Sequence, residues 1–214
     1  MPRRFLLTGG GTGGHVTPAL AAAGALAERY PDAEFRYVGL GDKAESVMAP
    51  RAGLPLSRVW SRGLPPPGPG LLSFAWHLGW GVAAALGILL RHRPDLIIAT
   101  GGYVAAPVVL ANALLRRLRL SRAPLLVHEQ NSHLGRLNRV AAGVADIVAV
   151  SFPETLNELP AGKGVYVGYP VRASLRAGDR DEARRALAIP TDARVVFAFG
   201  GSQGARTINR ALAD

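Results

Sequence analysis

The chain has 214 residues, 49% of them hydrophobic and 19% charged, with a formal net charge of +10. That length and balance supply a buried core and exclude a disordered chain. The lack of cysteine excludes disulfides and thiolate metal sites, and the excess of Lys and Arg calls for an anionic partner: nucleic acid, an anionic membrane or phosphorylated small molecules.

In chain order, the apolar Phe5, Leu6 and Leu7 run into GGGTGGH at 9–15, and an alanine-rich stretch to Ala27 follows. This reads as strand, tight glycine turn and helix. Such a turn lets the backbone approach a ligand, and the new helix points unpaired N–H groups at the same place, so an anion is expected there. His15 lies where the helix opens; the positive dipole end disfavours imidazolium, and a neutral, proton-accepting ring is expected. The plainer alternative is a structural glycine turn beside a surface histidine. Gly9, Gly11 and Gly14 also satisfy GxGxxG, which raises a dinucleotide-binding rival. That rival needs an acid closing the second strand, and Asp42 comes late, beyond a glycine. The opening MPRRF lacks the apolar core of a secretory leader, which points to the cytosolic side.

Residues 34–40 read as a second strand, 43–52 as a short helix and 56–60 as a third strand. LPPPGPG at 64–70 is a loop, because proline removes donors. Residues 71–90 are mostly apolar and long enough to span a membrane, yet Ser73, His77 and three glycines weaken that reading, and the neighbours are soluble strand and helix units. A buried helix, or one partly exposed to a bilayer surface, fits better. In the second case Leu72, Phe74, Trp76 and Trp80 would enter the lipid interface, with Arg91 and Arg93 as basic company.

Strands are expected at 95–100, 124–128, 146–150 and 164–167, with a helix over 105–118. The alternation predicts an α/β fold, a Rossmann-like doubly wound parallel sheet. Ligands collect beyond the carboxyl ends of such strands, where His15, Tyr103, Glu129, Asn131 and Arg172 all fall. From residue 179 the pattern restarts: a charged helix, a strand over 194–199, a glycine turn with Ser202, and a helix from about 205. The expected boundaries are 1–172 for one domain and 173–214 for the start of a second, too short for a core of its own.

GGGTGGHVTPAL at 9–20, TGGY at 100–103, HEQN at 128–131, GYPVR at 168–172 and FGGSQGA at 199–205 stand in one order along nearly the whole chain. Together they resemble the N-terminal part of the MurG family of N-acetylglucosaminyltransferases, of two-domain GT-B architecture. The resemblance implies inverting transfer of N-acetylglucosamine from UDP to the 4-hydroxyl of the muramoyl sugar in undecaprenyl-pyrophosphoryl lipid I, at the cytoplasmic face of the bacterial membrane. It further implies His15 as general base, substrate contacts at Thr12, Gly13 and Gly14, and donor contacts at Asn131, Arg172 and Ser202. Tyr103, Glu129 and Asn138 would orient the acceptor or neighbouring groups. No cofactor, metal or nucleic acid is implied. One departure is Tyr169, where the family usually carries asparagine in GNPVR; that amide contact is not carried over, while Arg172 is. Two other readings stay open: the membrane-anchoring half of a split glycosyltransferase, and a nicotinamide-dependent oxidoreductase. Nucleic-acid binding fits less well, since the aromatics form no stacking clusters with the arginines.

Overall fold

The structure is a computed structural model that describes residues 2–175, 178–201 and 204–213. The chain divides into two compact units, Met1–Arg172 and Ala173–Asp214.

In the first unit, seven strands pair in parallel throughout: β1 (Arg4–Thr8), β2 (Glu34–Gly39), β3 (Leu56–Arg58), β4 (Leu96–Ala99), β5 (Leu125–Glu129), β6 (Ile147–Val150) and β7 (Gly164–Tyr166). Their order in the sheet is β3-β2-β1-β4-β5-β6-β7. Side chains alternate across a strand, so Leu6 and Leu7 of β1 face opposite sides of the sheet and enter different cores. Leu7 and Tyr37 pack with Val16, Ala19 and Leu20 of α1 (Gly13–Arg29) and Ala49 of α2 (Ala44–Arg51). Leu6, Ile97, Val127 and Val148 pack under α3 (Gly70–His92), α4 (Ala106–Arg117) and α5 (Arg136–Ala141). Both faces are therefore covered, which is why the central strands read as unbroken apolar runs. The strand order reverses between β1 and β4, the switch point that in such sheets forms a ligand-binding crevice at the carboxyl edge.

The helix α3 is long and apolar enough to cross a membrane, with mean hydropathy 1.5, yet only 11% of that window is buried. It packs by one face. Gly81, Ala85 and Leu89 are buried on it, and a side chain at Gly81 would collide with the Trp60 carbonyl. Phe74 is half-buried, whereas Leu72, Trp76 and Trp80 are 80%, 66% and 54% exposed. At 3.6 residues per turn these three fall on one stripe that continues through Leu90 and Arg91, while Phe74 falls on the packed side. Arg93 is the left-handed cap at the far end. Proline-rich residues 64–69 form an irregular loop before the helix, as expected.

The second unit carries α6 (Arg180–Ala186), N-capped by the Asp179 carboxylate on the amides of Asp181 and Glu182, and α7 (Arg206–Ala213). The strand expected over 194–199 does not form, and Val196, Phe197 and Phe199 are exposed. A strand exists only through pairing, and no described segment of this unit offers a neighbour.

Candidate active site

The glycine turn connects β1 to α1, and its backbone is shaped by its contacts. Gly11 takes φ +86°, a conformation that favours glycine, and a side chain at Gly10 would collide with Glu45. Part of this turn is already occupied by a side chain of the protein. The buried Glu45 carboxylate accepts from Gly11 N at 3.1 Å and Leu40 N at 3.0 Å. On the other side of the turn, the buried Tyr37 hydroxyl donates to Gly9 O at 2.7 Å. Burial, followed by the neighbouring Glu45 charge, pushes the Tyr37 phenol far above its ordinary range, so it serves as a fixed donor.

Beyond the turn, Thr12 is the N-cap of α1 and Gly13 and Gly14 head the helix, whose first amides have no partner within it. His15 follows, half-buried over the crevice between β1 and β4. Its Nδ1 lies 2.9 Å from Thr100 O and 2.9 Å from Gln130 Oε1. Thr100 also donates its hydroxyl to His15 O at 2.6 Å, so ring and backbone are both held from the residue that follows β4.

These contacts assign the tautomer. A backbone carbonyl can only accept, so Nδ1 carries the proton. Gln130 agrees: its Nε2 donates to His128 O at 2.8 Å and His128 Nδ1 at 2.9 Å, which turns its Oε1 toward His15. With Nδ1–H occupied, the neutral ring keeps its lone pair on Nε2. His128 is the opposite tautomer, accepting at Nδ1 with its Nε2 3.4 Å from Gly168 O. Burial lowers the His128 pKa, against smaller raising effects of the Gly168 contact and the Glu129 charge.

Glu129 is buried at the end of β5 and four donors converge on it. Asn131 N and Nδ2 reach Oε1 at 2.9 and 2.8 Å; Gly135 N and Asn138 Nδ2 reach Oε2 at 2.8 and 2.9 Å. Glu129 therefore orients Asn131 and the start of α5, with no acceptor position aimed at solvent. Asn131 itself is exposed on the crevice edge. Asn138 is buried, and its amide lies 3.0–3.3 Å from where a side chain at Gly101 would begin.

Tyr103 opens a short 3-10 turn after β4, and its ring lies against the glycine turn, 3.6 Å from a Cβ built on Gly11. Arg172 is exposed at the end of the first unit. Its neighbour Tyr169 has a specific place: the hydroxyl lies 3.1 Å from Thr17 Oγ1 and donates to Gly14 O at 3.4 Å. Pro18 lacks the N–H that would normally bond to Gly14 O, and Tyr169 meets the orphaned carbonyl. Ser202 lies outside the described residues.

The structure thus gathers Thr12, Gly13, Gly14, His15, Tyr103, Glu129 and Asn131 on one carboxyl edge, with Asn138 behind them. Sequence reasoning overlooked Gln130, Thr100 and Glu45. Gln130 and Thr100 stand inside the HEQN and TGGY runs, but nothing in those runs assigns either a role, and Glu45 carries no such signal.

The sequence profile described as the glycosyltransferase family 28 N-terminal domain matches residues 5–150. The chain belongs to glycosyltransferase family 28. Its similarity extends to curated proteins named UDP-N-acetylglucosamine–N-acetylmuramyl-(pentapeptide) pyrophosphoryl-undecaprenol N-acetylglucosamine transferase. One from Desulforudis audaxviator is 41% identical over 98% of this chain and 55% of its own length. Another, from Symbiobacterium thermophilum, is 40% identical over 99% and 55%. Among solved structures, MurG of Acinetobacter baumannii superposes with TM-score 0.63 and 27% identity, covering 82% of this chain and 47% of that one. The chain spans about half the length of the curated relatives it matches. As a family 28 N-terminal domain, its parallel sheet carries the His15 crevice at the sheet's switch point.

Proposed function

We propose that this chain is the acceptor-side part of an inverting N-acetylglucosaminyltransferase, which moves N-acetylglucosamine from UDP to the 4-hydroxyl of the muramoyl sugar in a polyprenyl-pyrophosphoryl-linked acceptor. The carrying observation is the His15 ring, held through Nδ1 by Thr100 O and Gln130 Oε1 with its Nε2 lone pair left for a substrate. An alcohol is a weak nucleophile at neutral pH. His15 Nε2 accepts the hydroxyl proton as the oxygen attacks the anomeric carbon from the face opposite UDP, which inverts that centre. The positive charge then formed on the imidazole is met at Nδ1–H by two oxygens already in place.

On this reading Thr12, Gly13 and Gly14 position the acceptor, while Asn131, Arg172 and Ser202 contact the donor. Arg172 and helix-start amides offset the charge of departing UDP. The exposed stripe of Leu72, Trp76 and Trp80 rests on the inner leaflet, with Arg91 on the same helix face against anionic headgroups, so the enzyme works as a peripheral protein at the cytoplasmic surface. The names of the relatives favour this chemistry over nicotinamide-dependent oxidation, and so does the end of β2, where Gly39 and Leu40 stand in place of the ribose-binding acid.

The test uses the full-length gene product with radiolabelled UDP-N-acetylglucosamine and a muramoyl-pentapeptide on a short polyprenyl diphosphate. A β-linked disaccharide product is expected. No transfer to that acceptor would overturn the reading.

A further inference from the structure

Beside the catalytic crevice, at the carboxyl ends of β2 and β3, lies an open cleft of about 730 Å³. Its walls include Lys43, Arg58, Arg62 and His77, together with Trp60 and Tyr103. Lys43 lies 3.6 Å from Asp42, the one acid of the cleft among the described residues. Among the described residues neither Arg58 nor Arg62 has a carboxylate partner. Both are exposed: the Arg58 guanidinium lies over the bare backbone of Gly41, and Arg62 Nη1 donates to Ser73 Oγ at 2.8 Å. His77 Nδ1 donates to Ser73 O at 2.6 Å, which leaves Nε2 as the ring's remaining polar atom. A cleft with this surplus of cationic donors fits a doubly charged anion.

The place of the cleft identifies that anion. Tyr103 forms one wall and touches the glycine turn, and the adjoining Gly102 would bring a Cβ within 3.1 Å of His15 Cδ2. His77 forms another wall from α3, the helix whose outward stripe is Leu72, Trp76 and Trp80. The cleft therefore lies between the apolar surface and the catalytic histidine. In a polyprenyl-pyrophosphoryl sugar the diphosphate likewise lies between the lipid and the ring that bears the reacting hydroxyl. The glycine turn offers less than its motif suggests, because the Gly11 amide already serves Glu45.

We infer that the Arg58–Arg62 cleft binds the pyrophosphate of the lipid-linked acceptor, which sets the sugar's 4-hydroxyl at His15. This rests on the transferase reading above and adds to it a site for the acceptor's charged linkage.

The experiment compares full-length wild type with the Arg58→Ala/Arg62→Ala double variant and, as a second variant, Lys43→Ala. All three sites are on the surface, and matching thermal melts verify folding. Expected for the double variant are an acceptor KM raised on the order of tenfold or more, an unchanged KM for UDP-N-acetylglucosamine, and unchanged sedimentation with phosphatidylglycerol vesicles that contain no acceptor. Lys43→Ala moves the acceptor KM in the same direction by less. An unchanged acceptor KM in the double variant overturns the inference. So does a loss confined to vesicle binding, which would assign the arginines to lipid headgroups. Calorimetry with geranyl diphosphate separates the two levels. Should wild type transfer no sugar, the transferase reading fails, while binding of geranyl diphosphate that depends on Arg58 and Arg62 still upholds the anion site and its absence overturns it.

Discussion

His15 Nδ1 and Gln130 Oε1 lie 2.9 Å apart, although 115 positions separate the two residues in the chain. The amide of Gln130 is turned by His128, whose carbonyl and Nδ1 both accept from Gln130 Nε2. One glutamine thus ties the end of β5 to the head of α1 and fixes which imidazole nitrogen of His15 carries the proton.

Gln130→Ala removes one of the two oxygens on His15 Nδ1 and loosens the ring, which keeps only Thr100 O. Steady-state kinetics of the full-length variant should show kcat lowered on the order of 10- to 100-fold, with the KM for UDP-N-acetylglucosamine little changed. Gln130→Glu keeps an acceptor toward His15 but sets a carboxylate oxygen against His128 O, so it should rescue only part of the loss. A donor-KM effect without a kcat effect would argue against a positioning role.

Glu45→Ala leaves the amides of Leu40 and Gly11 without their shared acceptor. Each unpaired buried group costs about 1–3 kcal/mol, and the Leu40 amide is buried while the Gly11 amide is half-buried, so urea unfolding should report a loss of about 2–6 kcal/mol. An effect below about 0.5 kcal/mol, the range of ordinary surface substitutions, would mean that the turn does not depend on this carboxylate.

Acid should weaken the fold through His128. Burial lowers its folded pKa below the ordinary 6.5, so below that pH the unfolded chain takes up a proton that the folded one refuses. The stabilisation is complete above about pH 6.5 and declines as pH falls toward the depressed folded value. His92 is shifted in the same direction, also by burial first. Denaturant melts from pH 8 to pH 5 should show the decline in wild type, a shallower one in His128→Asn, and a residual slope from His92. Protonation of His128 Nδ1 would also face one donor against another at Gln130, so the same acidification should loosen the hold on His15.

The stripe on α3 can be tested without disturbing the core. Trp76 and Trp80 pack edge to face on each other, 5.8 Å between ring centroids, and both are mostly exposed. Trp76→Ser/Trp80→Ser should lower partition onto anionic vesicles by roughly tenfold or more, with the melting temperature unchanged. A drop in melting temperature with normal vesicle binding would make the pair a packing feature.

Much of the fold was legible because its signals are local. The apolar runs of β1, β4 and β5, the glycine turn and the alanine-rich α1 announce themselves within a few residues, and the parallel sheet follows from their alternation. The place of His15 followed from the same logic. Gln130 and Glu45 were not legible, because a glutamine after a strand and a glutamate in a short helix look like ordinary surface polar residues until the sheet brings them to the turn. Residues 194–199 show the converse failure: a β-rich segment reads as a strand, but extended backbone becomes a strand only beside another. Phe74 illustrates a third limit, since an apolar helix reveals its packed side only once Gly81, Ala85 and Leu89 are seated.

The central claim is that His15 Nε2 takes the acceptor proton, and single-turnover transfer by full-length His15→Ala tests it most directly. The expected result is a chemical step slowed by about 10²–10⁴-fold, with UDP-N-acetylglucosamine binding and the melting temperature close to those of wild type. Transfer at nearly the wild-type rate in a folded, donor-binding variant would contradict it.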